Sequence, residues 1–343
     1  LFPYTTLFRS DGAGFLMEHI SVLRDECVKY LKIDPKGIYI DGTLGLGGHA
    51  EAIAEKLTTG RLIGIDRDET AIKEAGQRLA RFGKKVELVK GNFGDLGSIM
   101  DDLGVRDADG MLFDLGVSSP QLDTAERGFS YMKDAPLDMR MDRSEGLTAR
   151  EIVNTWSEAE LRSVFWRYGE ERYSGRIASA IVARRSEKPI ETTGELVTII
   201  RSTMPASALR EKQHPAKRCF QAIRIAVNDE LGALERMLAQ APDRLYTGGR
   251  LLVITFHSLE DRIVKTAFRT AENPCVCPPR SPQCVCGRTP YGKVLTRHPL
   301  TPSEEEQQEN SRSACCKLRA LEKLGAGIGR AKNTYTEGRD SEH

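Results

Sequence analysis

The sequence predicts an α/β fold on a parallel, doubly wound sheet, with a helical domain inserted before the last parallel strand. Three observations carry that expectation. Short apolar runs alternate with helical patterns between Ile38 and Asp114. Acids close three of the runs, at Asp41, Asp66 and Asp114, and such sheets bind ligands at the carboxyl ends of their strands. The alternation then gives way to helical pattern from about 121 to 238, before Gly249 to Phe256 resumes the sheet.

Composition bounds the rest. The 343 residues are 40% hydrophobic and 29% charged, with a formal net charge of +1. That length suits one α/β domain plus a smaller second one. No apolar run approaches the roughly 18 residues of a membrane span, and no secretory signal is evident. Of eight cysteines, four crowd into Cys275 to Cys286, Cys315 and Cys316 are adjacent, and Cys27 and Cys219 stand alone. This clustering reads as reduced thiols or a metal site, and the expected location is cytoplasmic. Residues 1–16 share no period with their neighbours and read as an expression or assembly scar, with Met17 as a plausible native start.

In chain order, Val22 to Leu31 reads as a short amphipathic helix, and Ile38 to Ile40 as a strand ending at Asp41. Gly42, Gly45, Gly47 and Gly48 follow, then a helical stretch from Glu51 to Leu57. Arg61 to Asp66 is the second strand. Asp68 to Phe82 is helical, with Ala71, Ile72, Ala75, Leu79 and Phe82 on one face. Lys85 to Lys90 is the third strand and leads to Phe93; Gly110 to Asp114 is the fourth.

A strand that ends at an acid, turns through glycines and enters a helix suits a nucleoside ligand. Glycines let the backbone approach closely, and the helix start offers unpaired N–H groups. Asp66 is placed to accept hydrogen bonds from ribose hydroxyls. Asp41 would repel a pyrophosphate, which disfavours a dinucleotide dehydrogenase. An acid there better matches S-adenosylmethionine, with its ammonium and sulfonium.

In the insert, Thr148 with Glu151, Ser157 with Glu160 and Thr192 with Glu195 have capping-box spacing. Phe220, Ile223, Val227, Leu231, Leu234 and Leu238 follow helical steps, which predicts one long helix leading back to the sheet. Between Arg172 and Arg224 there are eleven Lys or Arg against four Glu. From Arg262 to Arg297 seven basic residues face one acid, Glu272. Two basic regions beside a cofactor pocket point to a polyanionic substrate.

Four long motifs then become decisive: Asp114-Leu-Gly-Val-Ser-Ser-Pro-Gln-Leu-Asp123, Pro136-Leu-Asp-Met-Arg-Met-Asp142, the run from His214 to Leu231, and Phe256-His-Ser-Leu-Glu-Asp-Arg-Ile-Val264. With Glu126-Arg-Gly-Phe-Ser-Tyr-Met, they make the chain from Met17 to about Lys323 closely resemble the bacterial RsmH/MraW family of 16S ribosomal RNA cytosine-N4 methyltransferases. The resemblance implies a Rossmann-like class I S-adenosylmethionine-dependent methyltransferase fold with an inserted helical domain. It implies a methyltransferase domain over 17–120 and 239–343, and a substrate-recognition insert over 121–238. It also implies N4-methylation of a specific cytidine in the decoding region of 16S rRNA, within the small ribosomal subunit or a late precursor; a homodimer is left open. Carried over by position, Gly47, Gly48 and His49 line the methionine end of the cofactor. Asp66 binds the ribose, Phe93 meets the adenine, and Asp114 and Gln121 complete the pocket.

The chemistry requires a hydrogen-bond acceptor for an amine whose lone pair is delocalised into the ring. Amino-methyltransferases of DNA commonly carry an Asp/Ser-Pro-Pro-aromatic motif after the fourth strand. Ser118-Ser119-Pro120-Gln121 shares only the Ser-Pro. Ser119 and His257 are therefore the candidate catalytic residues, although Ser258 with Asp261 has helix-cap spacing beside His257. Tyr173, Arg176, Arg184, Arg185, Lys217, Arg218 and Arg224 are candidates to hold RNA phosphates. Phe129 and Tyr131 are either base-stacking or core aromatics. No metal is assigned to the reaction; Cys275, Cys277, Cys284 and Cys286 are either a structural zinc site or a reduced, mobile loop. The competing reading is a non-catalytic RNA-binding or ribosome assembly protein with a relict pocket.

Overall fold

The computed structural model describes residues 21–278 and 283–325. The expectations for residues 1–16 and for Met17 lie outside the described residues. Helix α1 (Arg24–Leu31) precedes strand β1 (Ile38–Asp41), and α2 (Gly48–Ala54) follows the glycine turn. Then come β2 (Arg61–Asp66), α3 (Glu69–Leu79), β3 (Val86–Lys90), α4 (Leu96–Asp102) and β4 (Ala108–Asp114). Asp68 caps α3 by accepting from the Thr70 N–H. The sequence pattern does not mark α4, a helix of seven residues, too short to display a stripe.

The insert carries α5 (Ser119–Asp123), α6 (Ala149–Thr155), α7 (Glu158–Gly169), α8 (Ser174–Glu187), α9 (Thr193–Thr203), α10 (Ala206–Leu209) and α11 (Lys217–Asn228). The three expected capping boxes open α6, α7 and α9, each with its reciprocal side-chain and backbone bonds. These helices enclose their own core, centred on Phe165, Ile177, Ile181, Leu196 and Ile223.

The single long helix expected through Phe220 and Leu238 is two helices. Asp229 adopts a left-handed conformation (φ 48°) between α11 and α12 (Glu230–Gln240). Asp tolerates that region better than most residues. The break divides the stripe between two cores. Phe220 and Ile223 pack in the insert, whereas Leu234 and Leu238 pack beneath the sheet with Met111 and Val253.

The chain ends with β5 (Leu245–Thr255), α13 (Ser258–Glu272), β6 (Gly292–Val294), α14 (Glu304–Glu309) and β7 (Lys317–Lys323). The sheet order is β3-β2-β1-β4-β5-β7-β6. The first five strands run parallel, and β7 pairs antiparallel with both β5 and β6. The expected Rossmann-like class I fold is therefore present, and its order reverses beside β1, where ligands of doubly wound sheets bind. Among the described residues no helix is long and apolar enough to cross a membrane.

Candidate active site

The turn after β1 is sewn to both neighbouring strands: Gly42 N–H donates to the Leu112 carbonyl and Leu44 N–H to that of Ile65, each at 2.9 Å. At Gly42 an added Cβ would lie 2.1 Å from the Phe113 ring. At Gly47 the backbone is left-handed (φ 79°) and starts α2. Glycine is required at both places, for space at one and for conformation at the other.

Two adjoining lobes of a cleft open above this turn. The first is lined by Asp66, Asn92, Phe93, Asp114 and Gln121, among others. The second is lined by Gly48, His49 and Ser119, with Asn310 and Arg312 at one side. Thr43, Gly45, Asp114, Val117, Ser118 and Phe256 border both. Seven of the nine expected site residues thus gather around one cleft. Gly47 and His257 are not among the residues lining either lobe.

Asp66 accepts from Gly45 N–H at 2.8 Å through Oδ2 and from Asp68 N–H at 2.9 Å through Oδ1. Each oxygen keeps a second lone pair for a ligand hydroxyl. Burial raises its pKa, only partly offset by those two amides. Phe93 packs edge-on against Phe113, with ring centroids 5.8 Å apart, leaving the aromatic wall of the first lobe fixed. Asp114 Oδ1 is buried and has no hydrogen-bond partner, while its Oδ2 lies 3.6 Å from His49 Nε2. Burial opposes charge on His49, but Asp114 and then Asp41 outweigh it and its pKa is raised. An unpartnered buried carboxylate oxygen in the shared wall fits a ligand carrying an ammonium.

Several expectations need correction. Asp41 was expected to meet the ligand, but it is 1% exposed and lies behind the cleft. Its Oδ1 accepts from Thr43 N–H and its Oδ2 has no partner. Burial pushes its pKa up to about 6. Gln121 is buried in the wall, donating to Asp68 at 2.9 Å and accepting from Ser118 N–H at 3.1 Å. The cap of α13 is displaced by one residue from the expected Ser258 and Asp261. His257 is the cap residue and Glu260 its partner. His257 Nε2 lies 3.1 Å from Glu260 Oε1, outside hydrogen-bond geometry. Arg224 is not free for phosphate, because Glu230 holds its guanidinium at 2.7 and 2.9 Å. Phe129 belongs to the insert core, and Tyr131 stacks on His214 with centroids 4.6 Å apart.

Sequence reasoning missed two acids of the first lobe, Glu230 and Glu260. Burial would raise the Glu260 pKa, but His257, Phe256 N–H and Arg224 outweigh it and hold it low. The capping spacing from His257 was the signal available for Glu260. Also missed was Trp166, 62% exposed on α7, in a shallow groove with Arg162, Arg172, Tyr173 and Arg176.

Residues 16–324 match the model of the MraW methylase family. The chain is 56% identical over 310 residues to a protein of Symbiobacterium thermophilum named ribosomal RNA small subunit methyltransferase H, covering 90% of this chain and 98% of that one. It is 54% identical over 307 residues to the protein of that name from Brevibacillus brevis, covering 89% and 98%. A third, from Lachnospira eligens, is 52% identical over 314 residues, covering 91% and 100%. The chain belongs to the MraW methylase family and is an S-adenosylmethionine-dependent methyltransferase.

Proposed function

We propose that the enzyme methylates the exocyclic N4 amine of a cytidine in the decoding region of 16S rRNA, acting in the cytoplasm on the small ribosomal subunit or a late precursor. The observation that carries this reading is the two-lobed cleft meeting at Asp114. One lobe has the acid and the ring suited to a nucleoside, and the other leads past His49 to Ser119. When bound, S-adenosylmethionine supplies an electrophilic methyl group on sulfur.

The chain's own residues supply the rest. Asp66 accepts the ribose hydroxyls through the lone pairs its backbone contacts leave free. Phe93 provides an aromatic face for the adenine. Gly48 and His49 border the methionine end, with Gly47 as the hinge that brings them there. Asp114 takes the ammonium through its unpartnered oxygen, and Gln121 braces the wall. Ser119, at the start of α5, orients the incoming amine and accepts a hydrogen bond from it. His257 acts through Glu260 as a positioning residue. Attack makes the amine acidic, so no strong base is needed beforehand.

The helical insert is the substrate-recognition domain in this reading. Residues 121–238 were the expected bounds; the packing of α12 against the sheet favours an end at Asp229. The test is transfer of labelled methyl to purified small subunits and to free 16S transcript, with digestion to nucleosides. N4-methylcytidine is the expected product. Cofactor binding without incorporation into either RNA would favour the relict-pocket reading.

A further inference from the structure

The loop between α13 and β6, an edge strand of the sheet, brings four cysteines together. Sγ distances are 3.6 Å for Cys275 to Cys284, 3.8 Å for Cys277 to Cys284, 3.5 Å for Cys284 to Cys286 and 3.8 Å for Cys286 to Cys275. All four sulfurs lie within 4.8 Å of one another. A metal at the centre of a sulfur tetrahedron, with bonds of about 2.3 Å, requires sulfur–sulfur edges of about 3.8 Å. We propose that Cys275, Cys277, Cys284 and Cys286 bind one zinc ion as a structural tetrathiolate.

The surroundings exclude the ordinary reason for cysteines to cluster. Thiols that gather by the hydrophobic effect do so inside an apolar core. Here Val276 is 61% and Val285 86% exposed, while the sulfurs between which they stand converge. Apolar packing would turn the valines inward and leave the thiols outside. In extended backbone, residues two apart share a face. With the four sulfurs converging and Val276 and Val285 turned out to solvent, each Cys-x-Cys pair presents both sulfurs to one side, which accounts for ligand spacing shorter than the usual zinc motif. The Val285 N–H points at Cys277 Sγ, 3.4 Å away, the backbone contact that steadies a metal-bound thiolate.

The ends of the loop are fixed independently of any metal. Tyr291 N–H donates to the Ala271 carbonyl at 3.0 Å, and Val294 N–H to Glu272 Oε1 at 3.1 Å. An ion would close the span between them and hold the segment that carries Arg288 and Lys293 against the sheet edge. Binding displaces the thiol protons to solvent and leaves a site of net charge −2, which the basic segment offsets. Soft sulfur ligands select zinc among the common divalent ions. A multi-iron cluster would hold its sulfurs farther apart than these contacts allow.

The test is metal analysis of the full chain purified without chelator, with zinc release followed as a mercurial reagent titrates the thiols. The expected result is about one zinc per chain, released in step with four thiols. Cobalt exchanged into the site should give the intense thiolate charge-transfer and tetrahedral d–d bands. Cys315→Ser, outside the cluster and exposed, should keep the metal. Changing all four cluster cysteines to Ser should lose it while S-adenosylmethionine binding shows that the fold survives. Should that variant not fold, Cys277→Ser alone should yield zinc to a chelator at least tenfold faster than the parent. Zinc far below stoichiometric with four titratable thiols, two disulfides in the cluster, or bound iron would each overturn the proposal.

Discussion

Arg127 reaches from the inserted segment to donate to Asp68 Oδ2 at 2.8 Å, with both side chains buried. Its second terminal nitrogen holds the carbonyls of Arg140 and Met141. Asp68 N–H in turn donates to Asp66, so the ribose acid is braced against the insert through one ion pair. Arg127→Met leaves a buried carboxylate without its cation and should destabilise the fold by ~3 kcal/mol, the low end for breaking such a pair. Burial works against the Asp68 charge, but Gln121 and Arg127 outweigh it and lower its pKa. The pair's contribution is therefore present at neutral pH and lost as pH falls through that depressed value. Urea unfolding across the acid range should show the gap between parent and variant closing as pH falls, because the parent loses the pair's contribution there and the variant has none to lose.

Asp66→Ala should abolish measurable S-adenosylmethionine binding, because two hydrogen bonds to a charged acceptor are worth ~1.5–3 kcal/mol each. The same carboxylate holds the Gly45 and Asp68 amides, so the melting temperature should fall as well. Calorimetry on the folded variant checks the first point. Unchanged affinity would remove Asp66 from the site.

These two acids also show what a sequence reveals. Asp66 was legible because a strand end is marked by local pattern, and local pattern likewise gave the capping boxes at Thr148, Ser157 and Thr192. The Asp68–Arg127 pair joins residues 59 positions apart, and no spacing rule reaches that far. The break at Asp229 was hidden for a different reason. The apolar stripe from Phe220 to Leu238 keeps its phase through a single left-handed residue, although its two halves serve separate cores. Asp41 was read correctly as a strand end but wrongly as a ligand contact, since periodicity does not say which side of a sheet a side chain faces.

Asp41 makes a second pH prediction of opposite sign. A carboxyl whose folded pKa is pushed up to about 6 favours the fold when protonated. Its stabilising effect is present below the ordinary carboxylate range and is lost as pH rises through about 6. His49, also raised, acts in the same direction at higher pH. Asp41→Asn keeps an acceptor for Thr43 N–H, so it should flatten the fall in stability between acid and neutral pH by ~2–3 kcal/mol. Urea unfolding of parent and variant across that range measures the slope; parallel curves would show that Asp41 ionises without cost.

His257→Asn should retain the cap of α13 and most of the activity, whereas His257→Ala should cost ~1 kcal/mol of stability. A His257→Asn enzyme that is stable, binds cofactor and fails to methylate would show that His257 does more than cap α13.

The basic face of the insert is narrower than its composition suggests. Arg184 pairs with Glu187, Arg185 donates to the Val153 carbonyl and Arg218 to that of Glu170. Arg162 and Arg176 carry no such bond among the described residues, and they flank exposed Trp166 in one groove. A ring beside free guanidiniums suits an unpaired RNA strand, with bases stacked on the indole and phosphates on the arginines. Arg162→Glu and Arg176→Glu should each reduce the slope of log K against log salt by ~0.7–0.9 for rRNA binding. Trp166→Ala should weaken binding by ~1–3 kcal/mol with little change in that slope. Cofactor affinity should be unaltered in all three, which separates loss of RNA contact from damage to the fold. Filter binding over a salt series supplies the slopes. If Arg184→Glu and Arg185→Glu flatten the salt dependence while Arg162→Glu and Arg176→Glu do not, the RNA lies on the other face of α8 and Trp166 has a different partner.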